Sequence, residues 1–393
     1  MASAPKHEPV LVRLALAYFQ RRERDLPAPS AEDAVHYLNP KERAAIRRVA
    51  RGMVLRAAGA GALSAAVAAA VEVLAQPLAE AATPDGTVRF WALVGVATVL
   101  ASAIEIGFLY WDGLRSVHAL ARAAGLSLSE EGAIAELPLA MARVALELPN
   151  PRVQPYGIDP LREVSRWRLV VAGLVYKAKI GVTNFLLKAL VRRVLGRAVV
   201  RAWLPFVGVP VTAAWNAWVA WTIVREATLR VMGPSAAFEL AGALLDRGPP
   251  PSEALKEAVL RALATSIVKK QDFHPNLAAF LEAVVGRIGM RNDGDLDDPG
   301  VLLERLGTLA PSDAAVVVRA LAIAAILDGR VTRRERETLV RAAAAARLEL
   351  SLAAVERLRR AFVKGEGLTE EQVLALVSVP AASPAVGPGI VSS

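Results

Sequence analysis

Two uncharged runs, close together and separated by a polar turn, constrain this chain more than any other feature. Ala57 to Val71 carries no charge, and continued to Leu78 it is long enough to cross a bilayer, which takes roughly 20 residues. Phe90 to Ile104 is also uncharged, and apolar character resumes after Glu105 as far as Trp111. Trp91 and Trp111 are twenty residues apart, which on a helix is about 30 Å, the thickness of the hydrocarbon core. Aromatic residues at both ends suit the two interfaces of a spanning helix. Pro77, Pro84, Asp85 and Gly86 supply the turn. The pattern predicts a transmembrane helical hairpin over residues 51–125. On its first arm Leu63, Val67, Val71 and Leu74 form a stripe of larger side chains, while Gly59, Gly61, Ala65 and Ala69 offer a small-residue face for helix packing.

Charge orients the hairpin. Arg43, Arg47, Arg48, Arg51 and Arg56 precede the first arm, Arg115 and Arg122 follow the second, and the turn carries Glu80, Asp85 and Arg89. The positive-inside rule puts both ends in the cytoplasm, so the expected location is a bacterial inner membrane. The net charge of +9 points to an anionic phospholipid surface as a partner. Nucleic acid is not expected, because the cations lie beside apolar runs without aromatic stacking platforms. Cysteine is absent, which excludes disulfides, thiol catalysis and Cys-based metal sites.

The flanking regions are helical in pattern. Residues 1–50 hold a short amphipathic helix, Val10 to Phe19, closed by Arg21-Arg22-Glu23-Arg24, and a second helix that starts at Asn39-Pro40-Lys41-Glu42 with Asn39 as its cap. The first run lacks the charge order and cleavage site of a signal peptide. Residues 126–158 read as a helical linker interrupted by Pro138. Residues 159–251 begin as a basic amphipathic stretch in which Arg193, Arg197 and Arg201 share a helix face, joined by Lys188 and Arg192. These five are the expected lipid-binding cations. Ala202 to Val224 is free of charge and could span, but Pro205 and Pro210 around Gly208 favour a re-entrant or interfacial hairpin.

From residue 252 to 378 the pattern is that of a soluble helical domain with an internal repeat. Val259-Leu260-Arg261-Ala262-Leu263-Ala264 is echoed 58 residues later by Val317-Val318-Arg319-Ala320-Leu321-Ala322. Residues 379–393, rich in Pro, Gly, Ser and Ala, are expected to be a disordered tail. The run Ala324-Ala325-Ile326-Leu327-Asp328-Gly329-Arg330-Val331-Thr332-Arg333-Arg334-Glu335 resembles the TerB (tellurite-resistance) family of all-helical domains. That resemblance implies an Asp-Gly turn between two helices, a Glu seven residues after the Asp, and a link to stress responses. The first half carries Lys270-Gln271-Asp272 where the family pattern has its Asp-Gly turn. Leu204-Pro205-Phe206-Val207-Gly208, with Asn216 and Ala227, is similar to the EcsC family of membrane-associated bacterial proteins.

Candidate sites are few. Asp328 and Glu335 read first as helix-capping groups, with Thr332 and Glu335 forming a capping box, and alternatively as ligands for a divalent cation. Asp293, Asp295, Asp297 and Glu304 fall at positions one, three, five and twelve of a calcium loop, but Asp298 stands where glycine belongs. Glu72 and Glu105 are acids within the arms of the hairpin, at levels too different to pair. No catalytic constellation is present, and no cofactor is expected beyond that cation. The expected protein is all-α: a transmembrane hairpin, amphipathic membrane-associated helices and a C-terminal TerB-like bundle. Its expected function is that of a non-enzymatic scaffold or stress-linked sensor with a protein partner. The rival expectation is a membrane transporter or enzyme using Glu72 and Glu105.

Overall fold

A computed structural model describes residues 9–24, 38–80, 83–129, 136–150, 155–164, 200–247, 249–289 and 296–379. Among the described residues the chain is all-α, apart from a two-residue antiparallel pairing of β1 (Glu349–Leu350) with β2 (Val377–Ser378). It divides into two compact units. One comprises Met1–Asn150 with Val164–Met232, the other Pro151–Glu163 with Gly233–Ser393.

The first unit is built on α2 (Pro40–Glu80) and α3 (Pro84–Ala123), which pack along their lengths as the expected hairpin. Asn39 caps α2, accepting from the amides of Lys41 and Glu42 while Glu42 accepts from the Asn39 amide. Pro77 lies inside α2 and does not end it. Thr83 caps α3, its hydroxyl accepting from the Gly86 amide at 3.1 Å, with Pro84 opening the helix. The short helix α1 (Val10–Arg24) packs on α3 and on α4 (Leu137–Ala145). Pro138 lies in the first turn of α4, where a proline lacks only an amide that would have no partner.

The helix α5 (Val200–Leu245) corrects the expected break at Pro205 and Pro210, being continuous through both. Each proline removes one backbone bond, and neither ends the helix. With α2 and α3 it is one of three helices among the described residues long and apolar enough to cross a membrane.

The second unit repeats a helix pair. The helices α6 (Glu253–Lys270) and α9 (Pro311–Leu327) start 58 residues apart, as do α7 (Pro275–Ile288) and α10 (Arg333–Ala345). Between and after them come α8 (Pro299–Thr308), α11 (Leu352–Val363) and α12 (Glu370–Leu374). The pair α6 and α9 forms the centre, and Leu260, Leu263, Ile267, Val318, Ile323 and Ile326 are fully buried between the surrounding helices. The turns after the two central helices match. Gln271 and Gly329 both have left-handed backbone, with φ of 58° and 71°.

Candidate functional site

The first unit turns a soluble helix pattern inside out. Over the uncharged part of α2 the buried stripe is made of small residues, Ala57, Gly61 and Ala69, while Leu63 and Leu74 are 68% and 79% exposed. On α3 most large residues from Val88 to Trp111 are exposed, including Trp91, Val99 and Ile104, while Phe90, Val94 and Phe108 are half-buried. On α5 Trp218 and Trp221 are exposed, with Trp215 tilted against Trp218. Contiguous apolar surface of this extent marks a face made for an apolar environment.

Inside this belt lies a polar junction of three helices. The side-chain amide of Asn216 on α5 donates to Glu105 on α3 at 2.6 Å. Gly61 on α2 makes the junction possible, since a Cβ there would lie 2.6 Å from the Asn216 nitrogen and 2.8 Å from the Thr212 carbonyl. Gly59 meets nothing within 4 Å, so of the two glycines expected on the packing face only Gly61 serves it.

Below the belt the polar groups become ionic. The Arg56 guanidinium donates to Asp112 at 2.7 Å and to the Ser116 hydroxyl at 3.1 Å, joining α2 to α3. Glu23 on α1 lies 2.9 Å from His118 and 3.4 Å from Arg122, and accepts from the Ser127 hydroxyl at 2.9 Å. Phe19 stacks on His118. On α5, fourteen residues past Asn216, Arg230 donates to the Ala140 carbonyl at 2.8 Å and to Asn150 at 2.9 Å.

The second unit holds a buried ionic cluster of its own. The Lys270 ammonium, only 3% exposed, lies 2.6 Å from Asp328 and 3.2 Å from Glu335, and donates to the Ala324 carbonyl. Thr332 and Glu335 form the expected capping box. Asp328 ends α9 and accepts from the Arg330 amide. Burial pushes the Glu335 carboxyl above its ordinary range; Lys270 opposes the rise and Asp328 adds to it. Nearby, Arg359 donates twice to Glu356 and once to the Gly329 carbonyl, pinning the turn. The Arg359 hydrogen bonds, aided by Arg360 and Arg336, hold Glu356 below the usual carboxylate range.

No protein family, curated protein or solved structure matches the chain. Its site residues stand on the geometry alone. Asp328 and Glu335 do come together, and the cation between them is the chain's own Lys270. Of the calcium-loop residues, Asp293 and Asp295 lie outside the described residues. Asp297 pairs with Arg162 and accepts from the Asp159 amide, and Glu304 is exposed on α8. Asp298 caps α8 through the Gly300 amide. Among the described residues no three acids or histidines cluster as metal ligands. Lys188, Arg192, Arg193 and Arg197 lie outside the described residues, as does the side chain of Arg201. Glu72 sits on α2 and Glu105 on α3, and the partner of Glu105 is Asn216.

Three participants escaped the reading of the sequence: Asn216, Asp112 and Lys270. Asn216 stood only in the run similar to the EcsC family, which implied no partner for it, and Asp112 carried no motif. Lys270 did carry a signal, because the 58-residue offset of the repeat sets it opposite Asp328.

Proposed function

We propose that this chain is a multi-pass bacterial inner-membrane protein that anchors a TerB-like helical domain at the cytoplasmic face, as a non-enzymatic scaffold or stress-linked sensor. One observation carries the reading. Within its uncharged run α2 buries only small residues, and both arms of the hairpin expose large apolar ones, the reverse of what water selects. Polar groups within the exposed belt turn inward and bond between helices, as a hydrocarbon environment requires.

The direction of α5 supports a cytoplasmic C-terminal domain. Asn216 meets α3 at Glu105, and Arg230, about 21 Å further along the helix, meets the α4 segment that follows the end of α3. Within the first unit α5 therefore runs toward the side where the arginines cluster. The bond to Asn216 gives Glu105 a role in holding helices together, which favours the anchor over a transport or catalytic role for Glu72 and Glu105.

Site-directed labelling tests the reading directly, because the chain has no native cysteine. In intact cells from which the outer membrane has been stripped, Asp85→Cys is expected to react with an impermeant maleimide. Arg333→Cys is expected to react only after the inner membrane is opened. Recovery of the whole chain in a detergent-free soluble fraction would reject the proposal.

A further inference from the structure

The N-terminal helix α1 has two apolar faces, and its fold uses one. Val12, Ala15 and Phe19 are buried against α3 and α4. Leu11 and Leu14 are 46% and 61% exposed, and at helical spacing they continue into Tyr18. Four arginines surround this second face: Arg13, Arg21, Arg22 and Arg24 are all exposed, and Arg22 lies over the Tyr18 ring at 5.8 Å.

The contacts of α1 fix its level on the hairpin. Phe19 meets His118, and four residues later Glu23 meets His118 and Arg122, so the contact moves along α3 in the direction of the chain. The two helices therefore run in the same sense at this end. Leu14 and Leu11 precede Phe19 by five and eight residues, and Trp111 precedes His118 by seven. At about 1.5 Å per residue, the exposed leucines reach the level of Trp111, where the apolar belt of α3 ends. Arg21, Arg22 and Arg24 follow toward the base of the hairpin, and on α3 Arg115 stacks over Trp111. Apolar surface at the edge of the belt, with cations beneath it, is the arrangement of a helix seated at an anionic lipid interface.

We propose that α1 is a leaflet-inserting helix. Its Leu11–Leu14–Tyr18 face enters the acyl boundary of the cytoplasmic leaflet, and its arginines engage anionic headgroups. This rests on the membrane reading given above. Through Phe19 and Glu23 the inserted helix would brace the base of α3, so the lipid composition of that leaflet bears on how the hairpin is held.

The test uses the full chain in nanodiscs with single cysteines carrying an environment-sensitive fluorophore. Leu14→Cys probes the inference, Val99→Cys the belt, and Glu337→Cys, exposed on α10, the aqueous phase. Leu14 is expected to be quenched severalfold more by a nitroxide high on the acyl chain than by one near the bilayer centre, and to lose quenching by aqueous iodide. Val99 should show the reverse depth preference, and Glu337 should respond to iodide alone. Exchanging anionic for zwitterionic lipid should weaken the shallow quenching at Leu14 and leave Val99 unchanged. If Val99 is lipid-quenched and Leu14 answers only to iodide, the inference fails and the anchor stands. Shielding of Leu14 from both quenchers means that protein, such as a second copy, covers the face, and also overturns it. Equal quenching in both lipids refutes the headgroup role. Failure of lipid quenching at Val99 removes the membrane reading itself.

Discussion

Glu105 and Glu335 are two inward-turned helix carboxylates, and the two units of the molecule answer them in opposite ways. In the first unit Glu105 accepts from a neutral donor, the Asn216 amide, at a place where a glycine lets the helices close. In the second unit Glu335 shares with Asp328 a buried ammonium supplied by Lys270. The difference follows from what surrounds each. An acid in a hydrocarbon belt is most cheaply held by a dipole between helices, where ions are costly. An acid in a water-facing bundle keeps its charge if a counter-charge is built in, but that arrangement is stable only while complete.

Completeness is what the largest predicted effect tests. Lys270→Met leaves two carboxylates facing each other in the core, and breaking such a buried set by removing one partner costs about 3–5 kcal/mol. Thermal unfolding of the C-terminal unit in the full chain should register that loss. Adding Asp328→Asn and Glu335→Gln should recover most of it, because uncharged groups need no ammonium. A Lys270→Met variant as stable as the parent would show that the cluster is not a closed ionic set. The same geometry makes Asp328 more than a cap, so its replacement by Asn is expected to weaken the bundle even though the Arg330 amide bond could persist.

The junction in the first unit fails in a different manner, through space rather than charge. Gly61→Leu would drive a side chain into Asn216 and the Thr212 carbonyl, and overpacking of this kind costs about 1–3 kcal/mol. In detergent, the tryptophan fluorescence of α5 should report separation from the hairpin at lower temperature than in the parent. Gly59→Leu is the internal control, since nothing lies within 4 Å of the added Cβ. Equal effects at both positions would mean that the loss is one of helix propensity, and the three-helix contact would lose its support.

What the sequence made legible was whatever depends on neighbours along the chain. The capping boxes at Asn39 and Thr332, the hairpin, and the choice between the small and large stripes of α2 follow from spacings of three, four and seven. The course of α5 was not legible, because proline rules describe helices in isolation, while the close approach of Thr212 and Asn216 to Gly61 of α2 and the bond to Glu105 of α3 lie outside them. The partners of Glu105 and Glu335 come from α5 and α6, and no local rule names them. The repeat was the exception. Its constant offset carries Gln271 onto Gly329 and Lys270 onto Asp328, so a reading that followed the register to the end would have paired the lysine with the acid.

The smallest predicted effect is a dependence on pH that separates the two kinds of carboxylate within the second unit itself. Burial raises the folded-state pKa of Glu335 above its unfolded value, so the folded chain binds the extra proton more tightly. The cost of its buried charge is fully present above the raised value and is relieved as pH falls through it. Glu356 works in the opposite sense. Arg359 holds its folded-state pKa below the unfolded value, so its stabilising contribution is present above the unfolded value and is lost as pH falls through the folded one. Acidification from neutrality should therefore first raise the stability of the bundle slightly, then lower it. Denaturant unfolding across that range should show the shoulder in the parent. Glu335→Gln should remove the rise, and Glu356→Gln should soften the later fall. A parent profile that only declines on acidification would mean that Lys270, not burial, governs the proton on Glu335, and the second unit would then hold a fully ionised cluster at every pH where it is folded.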